Sequence, residues 1–427
     1  MFSVNVIGFC QSNVDTLVTE KYNTDSINGI YIPKDLNDCF NQIDGFWNDS
    51  IKNQVKSWTE EDFCANGHFG FGMWMRNNWG LWSGSRLQAY FSDKGIHHPD
   101  DMSGIILTSY YRYLKGNKIQ LKKQIKYYKT YWEKPVENQS FKAKAKNGKI
   151  FVDIDSALQV SDSIEEIDFI GFEKMPRKIK EFRNLKELNI ENCNKINIED
   201  AIKQISFLRS LEYISFFDNG FTEYPLSLGN LIRLNKLCIS GDSITTLPSS
   251  IINLSSLVEL NITECPKLQL DTLFSLISQL ENLKELDLSE NGLSDLPMSL
   301  TKLTHLKELW LDDNTFTSVP ESVKSLSNLE YLRFFSNNIE ILNITSGDLK
   351  SLKRIDLCYN KFDTFPMELT NLNKLESVVM WYNEISIIPE DIARLNNLKR
   401  LNLQNNNLDE QQKNKLKIQL PNTKLEL

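Results

Sequence analysis

No run of apolar residues in the 427-residue sequence reaches the length of a membrane-spanning helix, which needs about 20. Met1 to Cys10 is partly apolar, but no lysine or arginine precedes that stretch and Asn5 breaks it. It therefore does not read as a secretory signal. The seven cysteines are odd in number and fall without a framework spacing. Reduced thiols in a cytoplasmic protein are expected rather than a disulfide scaffold. No glycine-rich loop ends in Gly-Lys-Ser/Thr, which removes the commonest nucleotide-hydrolysing class. No cysteine and histidine spacing resembles a structural metal site, so neither metal nor cofactor is expected.

What is present suits a folded chain: 41% of residues are hydrophobic and 24% charged, a balance that supports a core. The formal net charge of -8 is unevenly spread. Between Arg112 and Lys149 lie twelve Lys/Arg against only Glu133 and Glu137. Such a basic segment reads as a nucleic-acid or anionic-membrane contact, or as the solvated face of a helix followed by a polar linker. Alone it is a nonspecific signal, and nucleic acid is not the expected partner.

From about Ile164 one pattern recurs. A clear copy is Leu280, Leu283, Leu286, Leu288, Asn291, Leu293, Leu296, Pro297, Leu300 and Leu303. The asparagine position falls at Cys193, Asn219, Asp242, Cys265, Asn291, Asn314, Asn337, Asn360, Asn383 and Asn406. The steps are 26, 23, 23 and 26, then five of 23. Alternation at Leu286 and Leu288 predicts a short strand with those side chains inward and Glu285, Asp287 and Ser289 outward. The asparagine amide then satisfies backbone groups of adjoining coils. One coil cannot bury its apolar side alone, so the coils must stack. The segments Leu247-Pro248-Ser249-Ser250-Ile251 and Ile388-Pro389-Glu390-Asp391-Ile392 resemble the second half of the 23-residue leucine-rich repeat of Ras-binding-type cytoplasmic and bacterial proteins. The resemblance implies an α/β solenoid of about eleven coils with a curved parallel sheet on its concave face, and a protein partner. It also makes Cys193 and Cys265 structural substitutes for asparagine. Asp155 to Val160 reads as a capping helix, Leu425-x-Leu427 as a final half-coil, and Asn343 to Leu349, which lacks Leu-Pro, as irregular.

The register assigns Tyr213, Phe217, Trp310, Tyr331, Phe335 and Trp381 to outward strand positions, with Tyr359 and Tyr382 just past strand ends. The repeat does not require aromatics there. Clustered exposed aromatics mark interaction sites, and these eight are the candidate partner-binding residues. The competing reading is that they pack on one another or on the N-terminal region.

Residues before about 134 show no repeat and hold six of the eight tryptophans. Periodicity predicts helices opened by Pro33 with Leu36, Phe40, Ile43 and Trp47 on one face, over Ser85 to Lys94, from Pro99 to Gly116, and over Lys118 to Trp132. Tyr31-Ile32-Pro33-Lys34-Asp35-Leu36, Trp79-Gly80-Leu81-Trp82 and His98-Pro99-Asp100-Asp101-Met102-Ser103 resemble a small bacterial domain of unknown function, which implies no activity. His97, His98, Asp100 and Asp101 suit a helix start better than a metal site. Cys64 and His68 are four apart, but Gly67 interrupts them and no third catalytic group is evident. The run Phe69 to Met75 reads as packing rather than phosphate binding.

The expected organisation is an N-terminal segment over 1–30, a helical domain over 31–134, a Lys-rich linker over 135–149 and the repeat domain over 150–427. The expected function is capture of a protein partner on the concave face, without enzymatic activity. Two alternatives stand beside it: an enzyme or toxin-like activity in the helical domain targeted by the repeats, and anionic-polymer or membrane-surface binding through the Lys-rich segment.

Overall fold

The repeat folds as its period requires. The computed structural model describes residues 25–427 other than 28, 83 and 134–138, so most of the 1–30 segment and part of the expected linker lie outside the described residues. The chain divides into two units, 1–134 and 135–427. In the second unit a fourteen-stranded sheet holds strands in chain order, from Ile164–Ile170 through Glu285–Asp287 and Glu308–Trp310 to Lys424–Glu426. These pair in parallel and in register, so Leu286 aligns with Leu260 on one side and Leu309 on the other. Each register row thus carries one residue type from coil to coil, and the inward row of Leu, Ile, Phe and Val is fully buried. Away from the sheet the chain returns through short helical turns, such as Ser249–Asn253 and Met298–Lys302, each preceded by a proline. Proline fixes the extended entry and gives up an N–H that the turn would leave unpaired. The 26-residue steps accommodate full helices at Ile198–Ile205 and Leu270–Ile277. Asn343 to Leu349 is irregular, with Asn343, Gly347 and Leu349 all in left-handed conformations.

The asparagine row ties the coils together. Asn314 is fully buried; its Nδ2 donates to the Leu288 and Asp312 carbonyls at 3.0 Å each, and its Oδ1 accepts from the Leu293 amide at 2.9 Å and the Asn291 amide at 3.2 Å. Asn337, Asn360 and Asn383 repeat this two-sided arrangement. At Asp242 the carboxylate cannot donate, and the Tyr224 hydroxyl donates to it instead at 2.7 Å. Cys193 and Cys265 keep the backbone half of the pattern, each donating its amide to the next coil's asparagine at 2.8 Å. Burial pushes their thiols up to about 11 and 12, away from reactivity.

The residue before each asparagine position turns the chain in the left-handed region. Asn192, Asp218, Glu264, Glu290, Asp313, Ser336, Tyr359, Tyr382 and Asn405 all have φ between 50° and 58°. Gly241 fills the equivalent place, where a Cβ would lie 1.9 Å from Asp218 Oδ1.

Residues 140–151 are part of the sheet and not a linker. Ser140–Ala145 pairs antiparallel with both Ile150–Phe151 and Ile164–Ile170. Phe141, Ala143 and Ala145 face the core while Lys142 and Lys144 face out, the two-residue period of a half-buried strand. Lys144 pairs with Glu166 at 2.9 Å and Lys142 with Asp168 at 3.6 Å. Lys142 and Lys144 of the basic segment are therefore matched by carboxylates of the neighbouring strand.

In the first unit, helices lie at Leu36–Phe46, Asp49–Ser57, Glu60–Gly67, Met73–Asn78, Arg86–Ser92, Pro99–Leu114 and Leu121–Glu133. The first begins after Asp35, whose side chain accepts from the Asp38 amide, and not at Pro33. Pro99–Leu114 runs through the centre, with Met102, Ile105, Ile106 and Tyr110 fully buried. A π-helical turn, His68–Gly72, joins two of the helices. A Cβ at Gly67 or Gly72 would sit 3.2–3.3 Å from the Leu107 side chain. Glycine thus lets this turn lie against the central helix.

Candidate functional site

Outward side chains from successive strands form the open face of the sheet. The eight aromatics do not make one patch on it. Phe335, Tyr359, Trp381 and Tyr382 form a continuous group. Phe335 and Trp381 each lie within 5.2 Å of Tyr359 between ring centroids, and Tyr359 stacks on Tyr382 at 4.6 Å with the rings 8° from parallel. Tyr382 remains 46% exposed, whereas the other three are half-buried. Strands Tyr331–Arg333, Arg354–Asp356 and Ser377–Val379 supply the frame. Phe335 and Trp381 occupy the same register row on coils two apart, and Tyr359 reaches across the coil between them.

Two of these residues stand where the backbone is left-handed, Tyr359 at φ 52° and Tyr382 at φ 53°. Elsewhere in the row the residues are Asn, Asp, Glu, Ser or Gly. A bulky side chain there opposes backbone preference. Burial next to the Tyr382 ring pushes the Tyr359 hydroxyl up to about 12.

Trp310 and Tyr331 lie apart from this group and pair with arginines. The Arg333 guanidinium sits 5.5 Å from the Trp310 ring, and that of Arg354 sits 4.2 Å from the Tyr331 ring. Arg333 also pairs with Asp312 at 2.7 Å. Burial raises the Asp312 carboxyl against the pull of that guanidinium. Tyr213 lies beside Lys236, 5.6 Å from its ring.

Phe217 and Trp310 stand at two sides of a hollow that the eight-residue assignment does not single out. Both line one open hollow of about 430 Å³. Small side chains between them, Ser215, Ser240, Thr263 and Ser289, leave the space, while Asp287, Glu290 and Asp313 line its edge. The signal for it was available as a run of small outward residues flanked by two large ones.

In the helical unit the motifs resolve into structure. His98 caps Pro99–Leu114, its Nδ1 accepting from the Asp100 amide at 3.2 Å, and Asp100 pairs with the buried Arg76 at 2.9 Å. Phe71 stacks on Trp74, rings 8° from parallel, and Met73 and Met75 are buried. Cys64 lies 3.4 Å from the Thr108 hydroxyl, and burial raises its thiol. The side chain of His68 lies outside the described residues. Among the described residues no group of three or more His, Cys, Asp or Glu is placed to hold a metal ion, and no helix is long and apolar enough to cross a membrane.

Comparison with known proteins agrees with this architecture. A leucine-rich repeat region model matches residues 169–290, a two-copy leucine-rich repeat model 281–324, and a leucine-rich repeat model 350–408. A domain of unknown function, DUF6794, matches residues 32–114. No curated protein matches the chain. Similar solved structures include a leucine-rich-repeat protein of Leptospira interrogans, 20% identical, covering 64% of this chain and 98% of that one with a TM-score of 0.30. An internalin of Listeria monocytogenes is 20% identical, covers 66% and 91%, and has a TM-score of 0.39. The Toll receptor in complex with Spatzle from Drosophila is 24% identical, covers 59% and 34%, and has a TM-score of 0.46. Leucine-rich repeats serve in general as protein-interaction modules. The chain is a leucine-rich-repeat protein with a small N-terminal domain of unknown function.

Proposed function

We propose that this protein captures a protein partner on the concave face of its repeat sheet, through the aromatic group Phe335, Tyr359, Trp381 and Tyr382. Trp310, Tyr331, Tyr213 and Phe217 extend the contact toward earlier coils. One observation carries the reading: Tyr359 and Tyr382 hold large rings at left-handed positions that the same fold fills elsewhere with small or polar residues. The solenoid gains no core from them, since both rings lie on the open face. A half-exposed group of Trp, Tyr and Phe has the composition of a binding hot spot. The partner's apolar side chains would displace water from these rings, and Arg333, Arg354 and Asp356 would form a polar rim. In the helical unit the buried Arg76 is paired with Asp100, and burial raises the Cys64 thiol.

The test is affinity capture with the full chain from the cells that make it. The double variant Trp381→Ala, Tyr382→Asn should lose the specifically captured protein while keeping the wild-type circular dichroism spectrum. An unchanged capture profile for this variant would reject the reading.

A further inference from the structure

The hollow between Phe217 and Trp310 has a charge pattern of its own. In the outward row beside it, Glu259, Glu285 and Glu308 are register partners on adjacent strands. Neighbouring strands lie about 4.8 Å apart, so these carboxylates repel one another. The outer two are compensated, Glu259 by Lys236 at 2.6 Å and Glu308 by Arg354 at 3.0 Å. Glu285, between them, has no cation within ion-pair distance among the described residues. Two residues along the same strand and on the same face, Asp287 bonds only within its own turn, accepting from the Ser289 amide at 2.9 Å and from its hydroxyl. Asp287 lines the hollow, and its register partner across the strands is Trp310. Among the described residues the one cation lining that hollow is Arg333, which Asp312 engages.

We propose that this hollow takes an extended cationic segment of the partner protein, an arginine or lysine of which sets its charge against Glu285 and Asp287 while its neighbours lie between the Phe217 and Trp310 rings. The argument is charge complementarity in a shaped site. Residues two apart on a strand stand about 6.6 Å apart on one face, a span one guanidinium can bridge. Burial and the repulsion of Glu259 and Glu308 raise the Glu285 carboxyl, and burial raises that of Asp287. A bound cation offsets carboxylate charge that Lys236 and Arg333 offset only in part. The inference rests on the reading that the concave face binds protein, and it adds the chemistry of the bound segment.

The experiment uses the full chain and two fluorescein-labelled peptides, one alternating arginine with glycine and one alternating glutamate with glycine. Fluorescence anisotropy should show binding of the arginine peptide that weakens with salt, and none of the glutamate peptide. Glu285→Gln with Asp287→Asn should weaken arginine-peptide binding at least tenfold. Glu223→Gln with Glu281→Gln removes the same charge from exposed positions off this face and should change binding less than twofold. Phe217→Ala, at a ring 40% exposed, cannot act through the core and should also weaken binding. Equal loss from both charge-neutralised pairs would overturn the proposal, because attraction would then be to net charge alone. Absence of arginine-peptide binding would overturn it too. If the peptide fails here while Trp381→Ala, Tyr382→Asn still abolishes partner capture, the inference falls and the proposed function stands.

Discussion

Replacing both Tyr359 and Tyr382 by asparagine separates function from stability more cleanly than any truncation of the core. Each tyrosine sits in left-handed backbone, near φ 52°. A residue with a Cβ spends about 1–2 kcal/mol in that conformation, and asparagine, which this fold already uses at Asn192 and Asn405, spends less. The substitution therefore returns up to about 1 kcal/mol per site. Against this stand four ring contacts, those of Tyr359 with Phe335, Trp381 and Tyr382 and that of Tyr382 with Trp381, each worth about 0.5–1.5 kcal/mol. The losses exceed the gain by about 4 kcal/mol at most, so the protein should stay folded with its thermal midpoint lowered by no more than about 15 °C. Binding behaves differently. Removing a hot-spot aromatic costs about 2 kcal/mol or more, which is roughly thirtyfold in Kd per site. The assay pairs a circular-dichroism melt with titration calorimetry against the captured partner. A large fall in the melting midpoint with unchanged affinity would refute the reasoning, because it would make the two tyrosines part of the scaffold.

Other consequences follow from the scaffold itself. Asn314→Ala removes hydrogen bonds to four buried backbone groups, which at about 1 kcal/mol each should cost roughly 3–5 kcal/mol; urea unfolding checks this, with the exposed Asn407→Ala as a control expected near wild type. Glu330 is held between Lys307 at 2.9 Å and Lys353 at 2.6 Å, and these lysines lower its carboxyl to about 2. Because the folded value is depressed, the stabilisation is full above the ordinary glutamate value near 4.5 and is lost as pH falls from there toward about 2. Melting midpoints recorded down through that range should fall more steeply for wild type than for Glu330→Gln; parallel slopes would remove this ion-pair ladder from the account.

The solenoid was legible because a period of 23 fixes register, and register fixes which side chains face in. The strand Ser140–Ala145 was not legible for a related reason. Its inward residues include two alanines, and its outward lysines read as composition before they read as alternation. In the helical unit, strong periodicity and Pro99 located the helix Pro99–Leu114, whereas Asp49–Ser57 has a single buried residue, Val55, and little pattern to see. The glycine run around Gly70 hid helix on either side of a π-turn. For the site, sequence placed six aromatics at outward strand positions and Tyr359 and Tyr382 just past strand ends, but could not sort them. Whether Trp310 joins Trp381 or an arginine depends on side-chain rotamers three coils apart. The hollow was legible only by reading the small outward residues of successive coils together with the two rings that flank them.

The antiparallel hairpin at residues 140–151 has a further consequence. A stack of parallel coils is a lattice without an intrinsic end, since each exposed rim offers the next coil the same template. By reversing direction, the hairpin presents a rim whose bonding pattern no parallel coil can read, and its lysines lie beside that rim. Edge strands guarded in this way resist pairing with another chain. The hairpin therefore works as a full stop. It gives this end of the sheet an antiparallel edge in place of the template that the next parallel coil would need.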